Sequence, residues 1–402
     1  MSAGHRSERP EANEADTEAG STQLLTGELL FILMTTALFG LPFSAFFLFP
    51  KFLATEFAAA PSTIGGLNAV TMFFSVLFMP VIGAQVDKRG RKPFGFAGAG
   101  LLSLASVGFL FVDSIGPLLW VLRAMQGVAF TLFYLALSTL TTDLAPARRL
   151  GQAIGLFGGV MIATNALGPA VAEWLAHEFG WSAVFIATAI SGGLACLATV
   201  FVRERPHQHV AEAPTTMWAL VQRSGMRRAL VVAILAGCAM GTLFTFYQPW
   251  ALSEGITQVS VFLIAFAVTA MFVRFGLGGL ADRLGRMRVA TMSLFVYIGA
   301  PFSLLWVDTV GLLLPGALLG LSHGLFFPAL NAVALDYAAV RERGKAMAAY
   351  HGAFNVGFAG SGYLMGFLAA AAGYPIVFCL AGICCLIGFG LLVSAPRSAA
   401  SA

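Results

Sequence analysis

A chain of 402 residues that is 58% hydrophobic, carries a formal net charge of +4 and has a mean hydropathy of +0.84 is only 10% charged, against about 25% for an average soluble domain. That composition excludes a soluble globular enzyme and a nucleic-acid partner, and reads as a polytopic all-α membrane protein whose first partner is the lipid bilayer. The five cysteines, Cys196, Cys238, Cys379, Cys384 and Cys385, fall in apolar runs without secretory or metal-ligand spacing and read as small core residues.

Residues 1–27 come first and are unlike the rest. Glu8, Glu11, Glu14, Asp16 and Glu18 outweigh Arg6 and Arg9, and no basic stretch precedes the first apolar run. This predicts an acidic, disordered, solvated tail and not a cleavable signal. A hydrocarbon core about 30 Å thick needs about 20 mostly apolar residues per helix. Breaking the apolar runs at charge clusters predicts twelve spans, near 28–51, 61–86, 93–112, 116–142, 150–175, 181–202, 229–252, 257–281, 289–307, 310–336, 344–370 and 375–394. They group as a bundle over 28–202, a polar linker over 203–228, a second bundle over 229–396 and a short tail over 397–402. Within the linker, Pro214 is expected to open a short amphipathic helix through Trp218 and Val221.

The placement of Lys and Arg sets the orientation. With the N-terminus inside, 20 of the 23 basic residues lie on the inner side, Lys51 alone lies at the opposite surface, and Arg123 and Arg274 fall within spans. The expectation is a multi-pass protein of the inner membrane with both termini cytoplasmic, functioning as a monomer.

The second half replays the first. Residues 83–92, GAQVDKRGRK, return as 278–288, GGLADRLGRMR, so that Gly83, Asp87, Gly90 and Arg91 recur as Gly278, Asp282, Gly285 and Arg286, each 195 residues later. Asp113-Ser-Ile-Gly recurs as Asp308-Thr-Val-Gly at the same offset, and 148–153 recurs as 341–346 at an offset of 193. Two six-helix bundles related by duplication and a pseudo-two-fold axis follow.

Those paired loops resemble the signature of the major facilitator superfamily, which lies between helices two and three and again between eight and nine; Gln85 departs from its usual Leu, and Leu280 fits. The resemblance implies a transporter in which each loop Asp caps a helix of the opposite half and holds the outward-facing state. Asp87 would then face the helix start near Gly344, and Asp282 the one near Gly151, making Gly83, Asp87, Arg91, Gly278, Asp282 and Arg286 a conformational switch. Arg123-Ala-Met-Gln126-Gly127 resembles a signature of proton-coupled members. Gly159, Gly168 and Pro169 resemble the core of the antiporter signature, although Ala172 and Glu173 replace its small glycine pair. Residues 323–337, HGLFFPALNAVALDY, resemble the bacterial sugar- and drug-efflux branch often called arabinose efflux permeases. The implied activity is proton-coupled export of a small organic solute by alternating access; proton symport, uniport of an acid or sugar, or a transport-dead sensor or scaffold remain alternatives.

Ionisable groups inside a bilayer are costly and face a cavity or a partner. Away from helix ends these are Arg123, Arg274, His323 and His351, with no Asp or Glu at comparable depth. Arg123 and its neighbour Gln126, with His323 and His351, are expected to carry transport or coupling, and Glu173 is a further coupling candidate although solvation is its default at the outer end of helix five. Asn68, Asn165, Tyr247, Gln248, Arg274 and Asn355 are expected to line the cavity, and Asp143 and Asp336 to anchor ion pairs beside the basic loops. A buried inventory that is entirely basic fits an anionic or zwitterionic solute, with protons as the coupling partner. No phosphate-binding loop, no HEXXH, no GXSXG and no Cys/His cluster occurs, so neither a nucleotide-driven pump nor an enzyme is expected, and no metal or cofactor.

Overall fold

The computed structural model describes residues 25–146, 149–204, 216–277 and 279–394, apart from the side chains of residues 87, 151, 282 and 340. The expected tails lie outside these residues, except for the last positions before the first helix. All regular structure among the described residues is helical.

Twelve long helices run in order: α1 Gly27–Phe57, α2 Pro61–Arg89, α3 Lys92–Phe111, α4 Pro117–Leu144, α5 Leu150–Phe179, α6 Trp181–Phe201, α7 Ser224–Ser253, α8 Ser260–Gly276, α9 Arg286–Val310, α10 Leu313–Asp336, α11 Arg343–Ala372 and α12 Tyr374–Val393. Eleven are long and apolar enough to cross a membrane, and α8, at 17 residues, is a shorter apolar helix. The start signals are local. Thr26 accepts the Leu29 amide at 3.2 Å to cap α1, and proline occupies the first turn of α2, α3, α4 and α12, where its missing N–H has no intrahelical partner to lose. The repeat reaches down to the turns: α5 and α6 are joined through Gly180 at φ 81°, and α11 and α12 through Gly373 at φ 84°, a left-handed conformation that glycine alone adopts without strain.

Packing obeys the same symmetry. In the first half α1 lies on α5 and α6, α2 on α4, and α3 on α4 and α6; in the second α7 lies on α11 and α12, α8 on α10, and α9 on α10 and α12. The halves meet where α2 packs on α11 and α5 on α8, two contacts that the same relation exchanges. This is the expected pair of six-helix bundles.

Several boundaries differ from the sequence expectation; the first span, expected to end at 51, runs on to Phe57. The eighth span, expected to reach 281, stops at Gly276, because Leu277 and Gly279 take non-helical positions before the separate short helix Leu280–Leu284. The seventh begins at Ser224, so that residues 224–228, assigned above to the linker, form its first turn; the Arg227 amide bonds to the Arg223 carbonyl at 2.8 Å. The short helix of the linker is Met217–Val221, opened by Thr216, whose hydroxyl accepts from the Ala219 amide at 3.3 Å. Pro214 lies outside the described residues.

Candidate functional site

The face that carries the linker and the Arg-rich loops is called the basic face below, and the other the far face. Hydrogen bonds that join the two halves, among the described residues, gather toward the far face. Glu173, at the far end of α5 and 8% exposed, accepts from the Val259 and Ser260 amides, both at 2.8 Å, and so caps the N-terminus of α8 in the other half. A carboxylate suits that place because the first amides of a helix have no intrahelical acceptor and the helix dipole is positive there. Lys51, on α1, donates from Nζ to Glu173 Oε1 and to the Thr257 carbonyl, both at 2.6 Å. Gln248, on α7, donates to the Phe47 carbonyl at 2.6 Å and accepts the Lys51 amide at 3.0 Å, and Asn68 donates to Thr245 at 2.8 Å. Close by, α2 and α11 touch backbone to backbone: a Cβ added at Gly65 would stand 2.1 Å from the Gly362 carbonyl oxygen. Toward the basic face the packing loosens, and a Cβ at Gly155, Gly344 or Gly352 would meet nothing within 4 Å.

Beneath this closure lies a cavity of about 290 Å³ shared by both halves. The first half supplies its polar wall, Asn68 and Thr71 from α2, Arg123 and Gln126 from α4 and Asn165 from α5, with Phe43, Phe46 and Phe47 of α1 beside it. The second half supplies an aromatic wall, Phe244 from α7, Phe266 from α8, Phe327 from α10 and Phe354 and Phe358 from α11, together with Arg274, His323 and Asn355. No Asp or Glu is among the lining residues.

Arg123 is held by three hydrogen bonds and an aromatic ring. Its Nη1 donates to Gln126 Oε1 at 2.6 Å, Nη2 to Asn68 Oδ1 at 2.9 Å and Nε to the Leu67 carbonyl at 3.3 Å, and the guanidinium lies 4.2 Å from the Phe49 ring centre. It is 4% exposed and has no carboxylate partner among the described residues. The helices that hold it come close because of Gly127, where an added Cβ would stand 2.1 Å from the Thr71 carbonyl oxygen. Small residues that let backbones approach are how membrane helices associate without a hydrophobic drive between them. Three buried polar atoms on this lining have no hydrogen-bond partner: Thr71 Oγ1, Gln126 Nε2 and His323 Nδ1. The His323 ring sits among Phe266, Tyr297, Phe327 and Phe354, with centroids 5.1 to 6.3 Å away.

The expected residues therefore separate. Asn68, Arg123, Gln126, Asn165, Arg274, His323 and Asn355 converge on the cavity. Tyr247 and Gln248 were expected in the lining and are not there: both are wholly buried, Tyr247 stacked on Phe262 at 4.2 Å and Gln248 in the far-face closure. The reason is that α7 is enclosed on nearly all sides, so its polar residues can serve packing between halves as readily as a cavity. His351, one turn before Asn355 on α11, is half-buried against Phe327 and Tyr350 and does not line the cavity. Glu173, whose default was solvation, is buried.

On the basic face the two loop copies make matched contacts. Arg91, 1% exposed, pairs with Asp143 at 3.2 Å and Glu204 at 3.8 Å, and Arg286 pairs with Asp336 at 2.5 Å. Both anchors at the ends of α4 and α10 thus carry ion pairs, each within its own half. Glu204 also accepts from the Arg91 and Lys92 amides at 2.6 and 3.3 Å, capping α3. Gly83 lies on α2 against Leu135, while Gly278 and the side chains of Asp87 and Asp282 fall outside the described residues, as do the surroundings of Gly151. The sequence reading missed Lys51 as a cross-half group, Glu204 as a cap, and the aromatic wall as a set.

Comparison with known proteins agrees with this arrangement. Residues 30–316 and 309–402 match the family model described as Major Facilitator Superfamily. The tetracycline resistance protein, class G, of Vibrio anguillarum is 29% identical over 299 residues, which cover 70% of this chain and 74% of that protein. The purine ribonucleoside efflux pump NepI of Salmonella paratyphi B is 27% identical over 201 residues, 49% of either chain. The crystal structure of the nucleoside transporter NupG superposes with a TM-score of 0.74 at 15% identity, covering 92% of this chain and 100% of that one.

Proposed function

This chain belongs to the Major Facilitator Superfamily and is a multi-pass membrane transporter of small solutes rather than an enzyme, and from that premise we propose that it exports an anionic or zwitterionic organic solute in exchange for protons. The observation that carries the solute class is the cavity wall: Arg123 and Arg274 line it and no carboxylate does. Export is favoured by the relatives that are named efflux pumps and by a resistance protein among them. The proton is assigned to His323, with His351 nearby, because histidine is the side chain whose ordinary pKa lies closest to neutral and the lining offers no carboxylate. Glu173 is the remaining candidate for coupling. The protein works as a monomer in the inner membrane, both termini cytoplasmic, by alternating closure of its two faces around the cavity. The paired loops, Gly83 to Arg91 and Gly278 to Arg286, switch the basic face.

A second reading follows from His323 lining the same cavity as both arginines. An anion bound near a protonated His323 attracts that proton, which promotes travel in the same direction and hence symport. The sign of a single experiment separates the two. In inside-out vesicles carrying the protein, an interior made acid should drive accumulation of labelled salicylate or benzoate, and a protonophore should collapse it. Accumulation driven by the opposite gradient, above the passive uptake of these permeant acids by vesicles without the protein, establishes symport, and transport of ethidium in place of the acids overturns the anion assignment.

The far-face closure yields a further expectation. Glu173→Gln removes the charge that meets Lys51 and the α8 N-terminus, and puts an N–H where a backbone amide now donates, so the halves should part more readily on that face. A surface-exposed contribution of this type is worth about 0.3–1 kcal/mol and a partly buried one up to about 2, which shifts the balance of states roughly twofold to thirtyfold. Thiol labelling of Ala69→Cys from the far face should rise accordingly, and unchanged labelling would show that the closure does not depend on this carboxylate.

A further inference from the structure

The cavity contains two guanidinium groups and nothing of opposite charge. Arg123 directs its three hydrogen bonds at neutral oxygens and its flat face at Phe49. Arg274, half-buried on α8, makes no hydrogen bond and no ion pair among the described residues; its Nη1 lies beside α5, 3.2 Å from where a Cβ of Gly158 would be. Both side chains stay protonated, because a guanidinium does not lose its proton in proteins. Charge in the bilayer interior is expensive, and opposite charges attract far more strongly there than in water. The occupant that gains most is one that leaves the cavity neutral.

The two groups are far apart in depth. Both α4 and α8 start on the far face, and at about 1.5 Å per residue Arg123 lies about 9 Å and Arg274 about 21 Å from the starts of their helices. One anionic head cannot sit on both. Between them runs the aromatic wall, where Phe266, Phe327, Phe354 and the His323 ring form a continuous set of faces and edges. Rings of this kind favour flat, apolar or aromatic bodies by stacking and edge contacts, while a guanidinium fork favours carboxylate or sulfonate oxygens.

We propose that the solute preferred by this cavity is an organic dianion with its two anionic groups at opposite ends of a flat aromatic body, one held by Arg123 and the other by Arg274. The inference rests on the transport reading above and adds to it the number and spacing of the charges. Arg274, nearer the basic face, makes contact first for a solute that comes from that side; Arg123, backed by Gln126 and Asn68, holds the deeper end.

Calorimetric titration of the purified full-length protein tests it with three probes of one shape: para,para-biphenyldicarboxylate, the biphenyl monocarboxylate and the neutral dimethyl ester. The dicarboxylate should bind at least about tenfold more tightly than the monocarboxylate, a difference of about 1.4 kcal/mol, and the ester should be the weakest. Arg274→Gln should weaken the dicarboxylate more than the monocarboxylate and so abolish the preference between them, whereas Arg123→Gln should weaken both acids. Arg274→Lys keeps the charge and should keep most of the preference, so a general loss of folding in the Gln variant cannot imitate the result. Equal binding of the two acids by the unsubstituted protein overturns the dianion inference and leaves the anion reading standing. Inorganic phosphate binding as tightly as the dicarboxylate also overturns it, since both charges would then sit at one arginine. If neither acid binds and ethidium does, both readings fall.

Discussion

Gly65→Val is expected to abolish transport while leaving membrane insertion intact. At this position α2 meets α11 without room for a side chain: the first carbon alone would stand 2.1 Å from the Gly362 carbonyl oxygen and 3.1 Å from both the Gly366 Cα and the Phe246 ring. The opposing surface is largely backbone, and Gly366 is itself against Pro61 and Ser62, so neither helix can yield by turning a side chain away. Overpacking of this kind typically costs about 1–3 kcal/mol and occasionally more. The cost falls on one conformer, because the contact belongs to the far-face closure and is absent once the halves separate there. A penalty borne by one of two states moves their ratio by about tenfold for each 1.4 kcal/mol, so the variant should collect in the state that is open to the far face and stop cycling. With the five native cysteines replaced, a cysteine at Ala69 should become reactive to an impermeant thiol reagent from the far face at least about tenfold faster than in the Gly65 protein. Ordinary transport by Gly65→Val would mean that α2 and α11 never need to touch at this depth.

What the sequence made legible, and what it did not, follows from the range of the interactions concerned. Spans, loops and the repeat were readable because each depends on local composition: an apolar run bounded by charge is a span whatever packs against it, and Gly180 and Gly373 turn the chain at corresponding places in both halves. The stop of α8 at Gly276 was not readable, because the residues that follow, Leu277 to Ala281, are as apolar as a span, and glycine is ordinary inside membrane helices. The ring of polar residues about Arg123 was legible through helical spacing, since Gln126 is three positions away on the same helix; the Asn68 contact crosses to α2 and depends on the close approach at Gly127. Glu173 shows the limit most clearly. At the end of α5 it looks like any solvated carboxylate, and its acceptors' partners come from residues 86 and 87 positions later, brought there only by the docking of the two halves. A hint was present nonetheless: Lys51 is the one basic residue expected on the far face, and Glu173 replaces a small residue in an otherwise matching signature.

Arg123→Lys should reduce transport nearly as severely as Arg123→Ala, by roughly tenfold to a hundredfold. The charge survives this substitution and the geometry does not. Arginine reaches Gln126, Asn68 and the Leu67 carbonyl from three nitrogens held in one plane, and lays that plane over Phe49. A lysine ammonium is a single point with no flat face, so it can satisfy at most part of this set from one position. Of the acceptors it abandons, Leu67 and Gln126 belong to buried residues and Asn68 is half-buried, and a buried polar group left without a partner costs about 1–3 kcal/mol. Asn68 carries the effect further, since the amide that accepts from Arg123 also donates to Thr245 across the interface between halves. Loss of the fork therefore loosens both the deep end of the cavity and one strut of the far-face closure, and the two consequences can be told apart. Solute affinity measured by titration reports the first, and thiol accessibility from the far face reports the second. Transport near the ordinary rate in Arg123→Lys with loss in Arg123→Ala would reduce the residue to a counter-charge; transport near the ordinary rate in both would remove Arg123 from the mechanism.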